Sequence, residues 1–70
     1  MRIEWKDNSV IRVRMEGDET IISANRAGLL SLAQQFIALA EEPAGVHIHY
    51  DQWNSLEDGS DQLIVEKAEG

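Results

Sequence analysis

The densest group of chemically capable side chains is the run His47-Ile48-His49-Tyr50-Asp51. On extended backbone, residues two apart share a face, so His47, His49 and Asp51 can converge on one ion or one proton. His-x-His on a strand is a zinc-binding geometry, and Asp would add an oxygen ligand. A catalytic zinc site, however, takes three protein ligands plus an open position, and this chain has 2 His and no Cys. The competing reading is two imidazoles on a half-exposed sheet face, bonded to Glu66 or to nearby loop carboxylates. A metal-binding protein built on His47 and His49 is thus kept as an alternative; no metal site and no cofactor is expected.

Other chemistries find less to work with. The serines Ser9, Ser23, Ser31, Ser55 and Ser60 stand in no Gly-x-Ser-x-Gly elbow. Seventy residues also leave little room for a water-excluding pocket beside a nucleophile. The acids Asp51, Glu57, Asp58 and Asp61 do not follow the Asp-x-Asp-x-Asp-Gly order of an EF-hand loop. The glycines are isolated, so no phosphate-cradling loop forms, and no basic–aromatic stripe suggests nucleic acid. No enzymatic activity is expected.

One segment remains as a recognition site. Trp53, between Gln52 and Asn54, is followed by Glu57, Asp58 and Asp61. A large amphipathic aromatic gives contact energy, and acids around it orient a cationic partner. Asp51, Trp53, Glu57, Asp58 and Asp61 are therefore the expected partner-binding residues, with His47 and His49 as further contacts. The opposing reading places Trp53 and Leu56 as apolar anchors folded back onto the body.

The elements that must position these residues are legible from periodicity. Met1, Ile3 and Trp5 alternate with Arg2, Glu4 and Lys6, which reads as a first strand. Ile11, Val13 and Met15 alternate with Arg12 and Arg14 in a second, and Thr20 to Ala24 form a third after a Glu16-Gly17-Asp18-Glu19 turn. Asn25 is placed to cap a helix running to about residue 42, with Leu29, Leu32, Ala33, Phe36, Ile37 and Ala40 as its apolar stripe. Gly28 inside its first turn suggests close packing on the sheet. Val46, Ile48 and Tyr50 mark a fourth strand, and Gln62 to Lys67 a fifth. The expectation is one α+β domain over residues 1–70. Its order is βββαββ, with a five-stranded antiparallel or mixed sheet and the helix packed on one face. The uncovered face, carrying Arg2, Glu4, Arg12, Arg14, His47, His49, Ile64 and Glu66, would be solvated or would pair two chains as a homodimer.

Composition narrows the class of partner. The apolar fraction of 43% suits a globular fold and is too high for a disordered tail. The stretch Leu29 to Ala40 is too short for a membrane span, and absent cysteines with no signal-like leader favour a cytoplasmic protein. Charge is unevenly placed. Residues 1–40 hold five acids and five bases, whereas residues 41–70 hold eight acids and only Lys67, so the last thirty carry the whole net charge of −7. That field repels nucleic acid and anionic membrane and favours a basic protein surface; the competing reading is that the acids serve solubility alone.

Three stretches resemble immunity protein family 32, the predicted immunity proteins of bacterial polymorphic toxin systems. They are Ile22 through the Leu29-Leu30-Ser31-Leu32-Ala33 helix, His47-Ile48-His49-Tyr50-Asp51, and Leu56-Glu57-Asp58-Gly59-Ser60-Asp61-Gln62-Leu63-Ile64-Val65. The resemblance spans about residues 20–67; Tyr50 departs from it where an aliphatic residue is expected. It implies a protein that neutralises a cognate toxin by direct binding, with His47, His49, Asp51, Gly59, Ser60 and Asp61 as the matching positions. The expected function is therefore toxin neutralisation through an acidic surface, against a basic toxin such as a nuclease.

Overall fold

The computed structural model covers Met1–Gly70. Strands β1 (Ile11–Glu16) and β2 (Glu19–Ala24) form an antiparallel hairpin in which Ile11 faces Ala24 and Glu16 faces Glu19. Its two-residue loop is Gly17-Asp18, and Gly17 takes φ 64°, a left-handed conformation that glycine reaches without steric cost. Helix α1 (Arg26–Ala40) follows directly. The Asn25 side chain caps it by accepting the Gly28 N–H at 2.8 Å and ties the cap to the sheet by accepting the Val10 N–H at 3.0 Å. Gly28 allows the close approach: a Cβ there would stand 2.8 Å from Ile11 Cγ1 and 2.9 Å from the Val10 carbonyl oxygen. Strands β3 (His47–Tyr50) and β4 (Leu63–Glu66) make a second antiparallel pair, with His47 opposite Glu66 and Tyr50 opposite Leu63. The core between these elements is Ile11, Val13, Leu32, Leu39, Ile48, Tyr50 and Leu56.

The fold is α+β, but the expected five-stranded sheet is replaced by four strands in two separate two-stranded sheets. Met1 to Lys6 is not a strand. It lies along α1 in the opposite direction, its backbone bonded to helix side chains. The Lys6 N–H donates to Ser31 Oγ, Gln35 Nε2 donates to the Glu4 carbonyl, and the Met1 amine lies 3.5 Å from the Glu42 carboxylate. Apolar alternation at Met1, Ile3 and Trp5 fits any extended chain with one side down; the partner for its amides is set by Ser31 and Gln35. Because β1 and β3 are not joined, the continuous uncovered sheet face, expected to be either solvated or an interface, does not form.

The helix is also turned relative to its expected stripe. Its buried residues are Gly28, Ser31, Leu32, Gln35 and Leu39. Leu29, Ala33, Phe36, Ile37 and Ala40 are exposed, and of the expected stripe only Leu32 is in the core. Polar Ser31 and Gln35 go inside because both are satisfied there. Ser31 Oγ donates to the Ala27 carbonyl, and Gln35 Oε1 accepts the Tyr50 hydroxyl at 2.8 Å. No helix is long and apolar enough to cross a membrane.

Candidate partner-binding site

The chain from Asp51 to Asp61 connects β3 to β4 and bonds to β1 of the other sheet, and its bonds decide which side chains face outward. Asp51 organises a tight turn. Its carbonyl accepts the N–H groups of Asn54, Ser55 and Leu56, and its Oδ1 accepts those of Trp53 at 2.9 Å and Asn54 at 3.1 Å. Asn54 reaches back from its Nδ2 to the His49 carbonyl. An Asp whose side chain bonds the backbone two residues on is the usual device for such a turn. The turn drives Leu56 into the core, at 5% exposure, and holds Trp53 out in solvent at 84%. Leu56 is thus the anchor the sequence suggested, and Trp53 is not.

From Glu57 onward the chain runs along the open edge of β1 without becoming a strand. The Glu57 N–H donates to the Ile11 carbonyl and the Asp61 N–H to the Val13 carbonyl. Ser60 Oγ accepts the Val13 N–H, and Asp61 Oδ2 accepts the Met15 N–H at 3.0 Å. Two further bonds fix the bend between them. Gly59, at φ 84°, donates its N–H to Gln52 Oε1, and Arg12 Nη1 donates to the Asp58 carbonyl. The Gln52 bond brings the Trp53 turn beside Glu57-Asp58.

The five acidic and aromatic candidates therefore divide. Trp53, Glu57 and Asp58 have exposed side chains with no hydrogen bond within the chain. Asp51 and Asp61 use their carboxylates to hold backbone N–H groups. His47 and His49 share the outer face of β3 with ring centroids 5.0 Å apart. His47 Nδ1 lies 3.1 Å from the Gly45 carbonyl oxygen, and across the ladder His49 faces Ile64 instead of a carboxylate. Asp51 lies beyond the end of β3 with its carboxylate committed to the turn, so it does not join the two imidazoles. No group of three or more His, Cys, Asp or Glu side chains converges anywhere in the chain.

One feature escaped the sequence reading. An open groove of about 340 Å³ lies between the N-terminal turn and the Asp51 turn, lined by Trp5, Lys6, Asp7, Asn8, Ser9, Asn54 and Ser55. Its walls lie some forty-five residues apart along the chain, and no local pattern signals that they meet. The groove is polar apart from Trp5 and adjoins the turn that carries Trp53. Together they make a raised aromatic flanked by acids on one side and a hydrogen-bonding recess on the other. No nucleophile–base pair is assembled on it.

No curated protein and no solved structure shows a match to this chain. The family profile described as Immunity protein 32 matches residues 19–68, a span that holds β2, α1, β3, the connecting turn with Trp53, and β4. On that match over most of its length, the chain belongs to the Immunity protein 32 family.

Proposed function

We propose that this chain is a cytoplasmic immunity protein that neutralises a basic bacterial toxin by binding it through the Trp53 turn. The observation that carries the reading is Trp53 itself: a tryptophan 84% exposed on a turn fixed by five hydrogen bonds to Asp51. An exposed indole is unfavourable in water, and holding it in one place in advance reduces the ordering cost of binding. Glu57 and Asp58 supply the charge that draws a basic surface in, and the neighbouring groove accepts a polar side chain of the toxin. Asp51 and Asp61 contribute by holding the surface in shape. Neutralisation is steric and electrostatic occlusion, with no chemistry performed on the toxin.

The test is titration calorimetry of the cognate toxin domain with wild type and with Trp53→Ala, alongside growth protection in cells expressing the toxin. Because Trp53 is outside the core, the variant keeps its circular dichroism spectrum and loses about 2 kcal/mol or more of binding, roughly thirtyfold in Kd. Unchanged affinity with full protection would overturn the reading.

A further inference from the structure

The two edges of the β1–β2 sheet are treated very differently. Asn25 donates its N–H to the Val10 carbonyl at 3.0 Å, which continues the register in which Ile11 faces Ala24. In an antiparallel ladder such bonded pairs alternate, so Glu19, Ile21 and Ser23 point their backbone groups at β1 while Thr20, Ile22 and Ala24 point theirs outward. The same alternation turns Ile11, Val13 and Met15 to the other edge, and the Glu57–Asp61 segment bonds all three. Nothing in the chain bonds the outward groups of Thr20, Ile22 or Ala24. This edge has no charge, no proline and no covering loop over Thr20-Ile21-Ile22-Ser23-Ala24, the devices by which proteins ordinarily keep an open strand from pairing.

A second unpartnered surface belongs to the next element. Leu29, Ala33, Phe36, Ile37 and Ala40 form a stripe on the flank of α1 away from the N-terminal segment, with Leu29 at 54% and Ile37 at 68% exposure. Ile22 lies directly opposite buried Val13, on the sheet face where α1 sits, and is 40% exposed. The apolar stripe and the open edge thus lie on consecutive elements and on the same side of the sheet.

We infer that β2 and the exposed flank of α1 form a self-association surface, and that its occupant is a second copy of this chain. Charge selects the occupant. From Glu19 to Ala40 the only charged residues are Glu19 and Arg26, which cancel, in a protein of net charge −7. A surface meant for a basic toxin would carry acids, whereas one meant for an identical acidic chain must exclude them. Geometry agrees. If two β2 strands pair antiparallel across a two-fold axis with both helices on one side, paired residues must share a face. Ile22 then meets its own copy and Thr20 meets Ala24, and the strand end next to Asp18 in one copy lies beside the strand end next to Arg26 in the other, so the flanking charges are of opposite sign. Ile22 is one of the outward-pointing residues, so its N–H and C=O are both available for exchange across the axis. The contact would leave Trp53, Glu57 and Asp58 outside it, so that each copy keeps its Trp53 turn free.

Sedimentation velocity of the full chain across the micromolar range tests this, on wild type, Ile22→Pro and Ile37→Glu. Proline removes an N–H that β1 does not use, so the hairpin survives it; Ile37→Glu changes an exposed helix position and leaves the strands intact. Wild type is expected to sediment as a dimer and both variants as monomers with unchanged circular dichroism. A wild-type monomer at every concentration overturns the inference, as does a dimer that persists in Ile37→Glu. A monomer in which Ile22→Pro weakens toxin binding would give the edge to the toxin, and overturns it equally.

Discussion

Tyr50 ties three parts of the chain through one side chain. It sits on β3 at 1% exposure, its hydroxyl donates to Gln35 on α1 at 2.8 Å, and its ring meets Trp5 edge-on at a centroid distance of 6.1 Å. Burial pushes its phenol up from 10.0 to about 12. Ionising it would place a charge against the Gln35 carbonyl oxygen, in a site without solvent. The unfolded chain loses this proton near pH 10 and the folded chain holds it to about pH 12, so between those values the folded state binds more protons. The contribution is whole below pH 10 and drains as pH rises, at up to about 1.4 kcal/mol per pH unit. Urea denaturation at pH 8, 10 and 11.5 is expected to show that fall. Tyr50→Phe should remove this part of it and lower stability at pH 8 by about 1–3 kcal/mol, because Gln35 Oε1 is left buried and unpaired. A variant with the same alkaline slope as wild type would mean that the phenol is not the group responsible.

Among the elements, the Glu57–Asp61 segment does the work of a strand without the geometry of one. It satisfies the β1 edge with two backbone N–H groups, one hydroxyl and one carboxylate. Asp61→Ala removes the acceptor of the Met15 N–H and is expected to speed amide exchange at Met15 at least tenfold while leaving Ile48 and Tyr50 protected; NMR exchange rates would check it. Equal protection at Met15 in both proteins would show that the carboxylate is dispensable. This element also marks where the sequence stops being readable. The hairpin, the Asn25 cap and the helix span follow from local pattern, because their hydrogen bonds stay within a few residues or across a tight turn; the strands at His47–Tyr50 and Leu63–Glu66 are readable from their apolar and β-branched content, although they pair across a twelve-residue connection. The Met1–Lys6 segment does not, since its alternation shows which side chains are apolar and not which groups its amides meet. Ser31 and Gln35 read as solvent positions on a helix and prove to be the partners of that segment. Trp53 left two readings open: its size argues for the core and its acidic neighbours for an exposed contact, and the Asx turn made by Asp51 points it outward. Of the candidate site, residue types were legible, but the division between exposed Trp53, Glu57 and Asp58 and bonded Asp51 and Asp61 needed the backbone.

At the scale of the molecule, the acidic residues and the neutral unit are separated along the chain. Residues 41–70 hold eight acids and one base, while Glu19 to Ala40 is neutral and carries the open edge and the apolar flank. Two kinds of association should therefore respond to salt in opposite ways. On the proposed function, binding of a basic toxin would be steered by long-range attraction, and raising salt from about 10 mM to 150 mM shortens the screening length from roughly 30 Å to 8 Å. Its association rate in stopped flow is expected to drop about tenfold or more over that range, with dissociation changing less. Pairing of two identical chains works against a repulsion between net charges of −7, which the same salt screens, so the dimer should hold or tighten. Charge reversal separates the two further. Glu57→Lys with Asp58→Lys should slow toxin capture at low salt and leave sedimentation of the free protein as it was. A toxin association rate that ignores both salt and these substitutions would mean that apolar contact at Trp53 acts without electrostatic help, and the acidic half of the chain would then serve only solubility.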